Sequence, residues 1–317
     1  MAEGFKALSR LAEAGTPFAF VVSYDKREVY ARPLRSLKDW RVAVPGFGPP
    51  PRPLRQRARL SKHPVPFSRY VKAFERVIEE IRSGNTYLLN LTFPTPVTLP
   101  LTLEALFESA NAPYRFLWPG RFVCFSPEPF VRIDADGRIA TFPMKGTIDA
   151  AVPDAEAKIL ANEKEMAEHV MVVDLLRNDL GMVAKEVRVR RFRYVERLST
   201  HDRTLLQVSS HIEARLPSNW RQNLGEILQT LLPAGSVTGT PKRRTCQIIE
   251  LVEGYDRGFF TGVFGLFDGQ SLQSAVMIRF IEQTPEGLLY KSGGGITIDS
   301  DPKAEYEELL AKVYLPL

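Results

Sequence analysis

Two pairs of glutamates and two lysines stand at spacings that could do chemistry. Glu305, Glu308 and Lys312 fall at i, i+3 and i+7, so a helix would present all three from one face. Glu165 and Glu168 repeat the i, i+3 spacing earlier in the chain. Taken by itself, the later stretch reads as a solvated acidic helix with an i,i+4 pair between Glu308 and Lys312. The second acidic pair changes that reading. Four carboxylates on two helices pack poorly without a cation between them, and Mg²⁺ takes such hard oxygen ligands, some directly and some through water.

The nucleophile candidate is Lys145, in Pro143-Met144-Lys145-Gly146-Thr147. A strand runs into it and Gly146 lets the backbone turn. Desolvation beside Met144 would lower the pKa of the amine and free it to attack; in isolation a surface lysine in a turn fits as well. His169 follows Glu168, but Mg²⁺ prefers oxygen and no second histidine matches it, so a structural hydrogen bond is expected. Pro233 to Lys242 is a loop of small residues feeding a helix N-terminus, an anion site by geometry. Its glycine spacing is wrong for a P-loop, and a small carboxylate suits it better than a nucleotide. Arg279 closes the apolar stretch Ala275 to Ile278 as a rim residue or a carboxylate clamp.

The elements that must position these groups follow from pattern. Phe18 to Tyr24 reads as a strand with a hairpin partner near Glu28 to Ala31. Ser68 caps a helix to Arg82, with Phe67, Val71, Phe74, Val77, Ile78 and Ile81 as its core stripe and Gly84 as its stop. Strands are expected at 87–93, 116–125, 130–133, 139–142, 186–195, 205–214, 258–267, 273–281 and 287–290. Helices are expected at 5–13, 103–109, 154–179 in two pieces, 220–231 and 241–253. On the helix of Glu165 and Glu168, Val170, Val173, Leu176 and Leu180 should face the core. Gly293-Gly294-Gly295 reads as a bare-backbone turn, after which Asp301 caps the last helix and Pro302 opens it. Short turns between strand pairs favour antiparallel sheets with helices outside, an α+β domain over 1–317. Within it, 1–62 would hold short strands and a Pro/Arg-rich loop, and 63–317 the core.

Composition narrows the class. Of 317 residues, 44% are hydrophobic, and 42 basic residues nearly balance 37 acidic ones for a net charge of +5. Much of the excess lies between Arg52 and Lys62. No nucleic-acid signature appears, and no apolar run approaches the ~20 residues of a bilayer span. The start lacks the layout of a signal peptide. The two cysteines, Cys124 and Cys246, suit free thiols in a reducing cytosol, so a cytoplasmic enzyme acting on a small anion is expected.

The stretches 143–147, 163–180, 233–242 and 293–308, in this order, resemble the chorismate-utilising enzymes. These include anthranilate, aminodeoxychorismate, isochorismate and salicylate synthases. The resemblance implies two orthogonally packed antiparallel sheets flanked by helices, a four-layer α/β/β/α sandwich. It implies Mg²⁺ held by Glu168 and Glu308, with Glu165 and Glu305 nearby or water-linked in catalytic roles. It makes Arg279 a clamp on the enolpyruvyl carboxylate, and makes Thr238, Gly239, Gly294, Gly295 and Lys312 substrate or metal-shell contacts. Lysine within Pro143 to Thr147 points to the aminodeoxychorismate branch; anthranilate synthases carry alanine there. Lys145 would attack C2 of chorismate and expel the C4 hydroxyl, and ammonia from a glutamine amidotransferase partner would then add at C4 and displace the lysine.

The sequence departs from family pattern at Leu88, where ammonia users usually carry glutamine and isochorismate-type members lysine. It departs at Leu206, where a histidine is linked with pyruvate loss, and at Phe260, often a tyrosine. The tryptophan-binding serine motif is missing, so no feedback by tryptophan is expected. Anthranilate synthase and a non-catalytic chorismate-binding subunit remain the alternatives.

Overall fold

The computed structural model describes residues 3–52, 54, 59–199 and 204–317; much of the expected basic segment lies outside them. Two antiparallel sheets form the centre. The nine-stranded sheet runs Met144–Asp149, Thr204–Arg215, Arg138–Thr141, Pro129–Ile133, Leu272–Val276, Val263–Phe267, Phe18–Val22 and Val29–Pro33, with Lys185–Ser199 also paired to Thr204–Arg215. The eight-stranded sheet runs Gly239–Thr240, Leu88–Thr98, Gly287–Ile296, Phe280–Thr284, Phe122–Ser126, Tyr114–Trp118 and Arg41–Ala43, with Ser61–Lys62 on the edge of Leu88–Thr98. The N-terminal strand lies inside the first sheet, between Val263–Phe267 and Val29–Pro33, so the core does not begin at residue 63.

Strand Phe18–Val22 shows how the layers arise. All five residues are buried, and alternate side chains point to opposite faces. Phe18, Phe20 and Val22 join a core shared with helices Glu3–Glu13, Glu163–Gly181 and Leu224–Leu231. Ala19 and Val21 join Phe116, Phe122, Cys124 and Phe280 of the other sheet, so this core is the filling between the sheets. Beyond the second sheet, helices Phe67–Arg82, Lys242–Glu253 and Pro302–Ala311 cover Leu89, Leu91 and Ile296. Helix Leu103–Ser109 covers Val123 and Phe125. The result is the expected α+β arrangement of helices, sheet, sheet and helices.

Several boundaries differ from expectation. The apolar run 273–281 is two strands in different sheets, Leu272–Val276 and Phe280–Thr284. Alternation alone cannot register a change of sheet. Arg279 sits in that crossover with φ 52°. Stretch 116–125 is a hairpin turned at Gly120, φ 70°. The glycine run is strand: Gly293, Gly294 and Gly295 pair with Thr92, Leu91 and Asn90. Pro66, not Ser68, precedes the helix Phe67–Arg82, and Phe67 is exposed against Tyr306. Val170 faces solvent, with Leu175 in the core instead. Among the described residues no helix is long and apolar enough to cross a membrane.

Candidate active site

The last helix forms as its cap predicts. Asp301 accepts the Ala304 amide at 2.8 Å and Pro302 opens the first turn. Its inward stripe carries Glu305, buried, Glu308, partly exposed, and Lys312. Asn162 caps the helix Glu163–Gly181 by accepting the Glu165 amide at 3.0 Å. Glu165 and buried Glu168 face inward from its first turns.

Gly294 and Gly295 are the floor between these helices. A methyl group at Gly294 would lie 3.4 Å from Glu305 Oε2, 3.6 Å from Glu308 Oε1 and 3.8 Å from Lys312 Nζ. One at Gly295 would lie 3.9 Å from Lys145 Nζ and 3.1 Å from Leu88 Cδ1. The glycines therefore serve a close approach within a strand rather than a turn.

Lys145 is aimed by a bulge. Met144 pairs with Ser209 and Thr147 with Gln207, so the strand carries one extra residue across Lys145–Gly146, and Gly146 takes φ 84°. Bulges re-aim side chains next to active sites. Here the bulge sends the Lys145 ammonium onto Glu168. Its pKa is not lowered as expected. Burial does push it down, but the charge and hydrogen bond of Glu168, with Glu308 and Glu165, push it above the usual lysine value. In this state Lys145 is an ammonium.

Each of three glutamates has a lysine. Lys164 reaches Glu305 Oε1 at 3.2 Å, beside a 2.8 Å bond from Ser300 Oγ. Lys312 reaches Glu308 at 2.5 Å and the Gly293 carbonyl at 2.9 Å. Burial raises the Glu308 carboxyl, but Lys312, with Lys145 and Lys164, outweighs it and the net shift is downward. Glu165 differs. Burial pushes it up against the pull of Lys145, and its Oε2 is buried without a hydrogen-bond partner. Among the described residues no three acidic, histidine or cysteine side chains are arranged to hold a metal by themselves. The donors are hard oxygens, one of them orphaned, and that suits Mg²⁺ completed by ligand oxygens.

The other expected contacts are placed unevenly. Thr238 is fully buried and its hydroxyl donates to the Ala234 carbonyl at 2.9 Å. Gly239, φ 124°, pairs with Leu89, and a methyl there would meet the Leu88 carbonyl at 1.8 Å. This brings the small-residue loop against Leu88 and hence the Gly295 floor. Lys242 does not serve that loop as an anion ligand; it donates to Asp179 at 2.9 Å and to the Leu231 carbonyl at 2.8 Å. Arg279 stacks over the Tyr314 ring at 5.2 Å, and its Nε has no hydrogen-bond partner. Burial disfavours its charge, but Tyr314, Tyr290 and Glu128 outweigh that and raise its pKa.

Sequence reasoning missed Glu128. It accepts a 2.5 Å bond from Ser236, and Arg279 and Lys312 act on it electrostatically. Burial pushes its pKa up despite those partners. A glutamate between Pro127 and Pro129, just past an apolar strand, was the available signal. His169 does form a structural bond, 2.6 Å from Nε2 to Ser210 Oγ. Leu206 and Phe260 are buried core residues.

An amine held in an acidic cluster over bare glycines, with the Arg279 guanidinium nearby, is an arrangement suited to a small polyanion. The chain belongs to the chorismate binding enzyme family, which it matches over residues 8–317. It is 50% identical to an uncharacterized PabA-like protein of Haemophilus influenzae, over 95% of this chain and 93% of that one. It is 33% identical to aminodeoxychorismate synthase component 1 of Bacillus subtilis, over 77% of this chain and 54% of that protein. Anthranilate synthase component I of Streptococcus pneumoniae has a similar structure, with TM-score 0.68 and 25% identity over 81% of this chain and 58% of that one. The chain thus spans little more than half the length of these two synthase components. Anthranilate synthase components 1 of Haloarcula marismortui and Thermus thermophilus are 38% and 36% identical, over 75% and 76% of this chain and 50% and 54% of those proteins.

Proposed function

We propose that this chorismate-utilising enzyme is the large component of an aminodeoxychorismate synthase. The observation that carries the reading is the position of Lys145, bulged out of its strand onto Glu168 and beside the Gly295 floor. A lysine there offers covalent chemistry that an alanine would not. Glu168 and Glu308 would hold Mg²⁺, with Glu165 and Glu305 beside it. Held there, Mg²⁺ would supply positive charge to offset the ring carboxylate and the carboxylates that pair with the lysines.

Lys145, once deprotonated, forms a bond from Nζ to C2 of chorismate as both conjugated ring double bonds shift toward C4 and the C4 hydroxyl departs as water. Glu165 and Glu128, both pushed up by burial, are the groups able to give that hydroxyl its proton. Arg279 would grip the enolpyruvyl carboxylate, with Lys312 and the Thr238–Gly239 and Gly294–Gly295 backbone completing the walls. Ammonia then adds at C4 and the Nζ–C2 bond breaks. We propose that a separate cytoplasmic glutamine amidotransferase supplies it.

Mass spectrometry of chorismate incubated with the protein, ammonium and Mg²⁺ tests this. The expected product is 4-amino-4-deoxychorismate with the enolpyruvyl group retained. Anthranilate with released pyruvate would overturn the reading in favour of the other branch. Calorimetric chorismate binding without any product would make the chain a binding subunit.

A further inference from the structure

Away from Lys145 lies a buried charge pair that the proposed chemistry does not use. Arg257 is 2% exposed, and so is Glu253. Arginine has five N–H donors in a rigid fork, and all five have acceptors. Nε and Nη2 donate to the two Glu253 oxygens at 2.8 and 2.6 Å. Nη1 donates to the Val237 carbonyl at 2.9 Å and to Thr261 Oγ1 at 3.3 Å. Nη2 also donates to the Asn90 carbonyl at 2.7 Å. Glu253 Oε1 in turn accepts the Thr92 amide and hydroxyl, each at 2.8 Å.

These partners are not scattered. Val237 precedes Thr238 and Gly239. Asn90 lies opposite Gly295, and Thr92 opposite Gly293. The Asn90 amide donates to the Thr238 carbonyl at 2.9 Å. Lys291, on the strand that carries the three glycines, donates to the Arg257 carbonyl at 3.0 Å. One guanidinium therefore joins the small-residue loop to the strand that backs the glycine floor, and that strand's partner holds the guanidinium's own backbone.

We infer that Arg257, oriented by Glu253, is a positioning residue that sets the Val237–Gly239 loop against the glycine floor and so fixes the width of the ligand site. It has no hydrogen bond or ion pair with Lys145 or with Glu165, Glu168, Glu305 and Glu308. This rests on the proposed assignment of those two segments as site walls. Lysine cannot replace it, because a single ammonium cannot reach the Val237 and Asn90 carbonyls while filling both Glu253 oxygens.

The test compares Arg257→Lys and Glu253→Gln with Thr92→Val, which removes one hydroxyl from Glu253 but leaves every Arg257 bond in place. Hydrogen exchange is read at 88–92 and 236–240, and steady-state kinetics with chorismate, ammonium and Mg²⁺ are run on the same samples. Either of the first two variants should speed exchange in both segments together. Either should also raise KM for chorismate about tenfold with kcat within about threefold. Thr92→Val should leave KM unchanged. Unchanged exchange, faster exchange with an unchanged KM, or an equal KM rise in Thr92→Val overturns the inference. A wild-type protein inert toward chorismate would instead overturn the proposed function, and the exchange data would still show whether Arg257 joins the two segments.

Discussion

The Lys145 cluster and the Glu253–Arg257 pair both gather charge out of water, and they differ in how fully that charge is answered. Around Arg257 every guanidinium donor has an acceptor and Glu253 takes four bonds. Around Lys145, four carboxylates face three lysines, Glu165 Oε2 has no partner, and nearby Arg279 Nε has none. A closed network rigidifies. An open one leaves groups ready for a ligand, and perturbed carboxyls collect there. The contrast separates what holds the site from what acts in it.

The sharpest way to break that contrast is at the amine. Lys145→Ala should lower aminodeoxychorismate formation roughly 10³-fold, or divert product to anthranilate, with little change in melting temperature. Undiminished output by mass spectrometry would remove the nucleophile from the open cluster. Next come the two elevated carboxyls. Whichever of Glu128→Gln and Glu165→Gln lowers kcat about 10²-fold identifies the proton donor; if neither does, both belong to the structural side.

His169 extends the comparison to pH. Burial, with Arg193 and Lys145, lowers its pKa from 6.5 to about 4, so the folded protein binds fewer protons than the unfolded chain in this window. Its contribution is present above pH 6.5 and is lost as pH falls toward 4. In chelator, denaturant melts should show it as about 2 kcal/mol less stability at pH 5 than at pH 7, relative to His169→Gln. Equal pH slopes in the two proteins would remove His169 from the open cluster's account.

The smallest effect is steric. A methyl at Gly294 has 3.4 Å of room, so Gly294→Ala should fold normally yet raise KM about tenfold by filling the floor. Gly293→Ala, whose methyl would meet the Leu91 carbonyl at 2.4 Å, should fail to fold well. If both behave alike by melting temperature, the floor is not specific to Gly294 and Gly295.

What the sequence determined by itself is local to single helices, and not all of that, since the Ser68 cap and the inward Val170 did not hold. The i, i+3 glutamates, the Asp301 cap and the Glu308–Lys312 pair all stand as read, because a period of 3.6 residues places them without reference to the rest of the chain. Only tertiary structure decided the remainder. Gly293 to Gly295 became strand because Thr92, Leu91 and Asn90 lie beside them. Lys145 keeps its charge because Glu168, with Glu308 and Glu165, all from other elements, together outweigh its burial. Glu128 and Arg257 gained importance from partners 20 to 167 residues away, as in Arg257's bonds to Val237 and Asn90 and that of Glu128 with Ser236, 108 residues on. Electrostatic matching of this kind depends on distance in space, and spacing along a chain carries none of it.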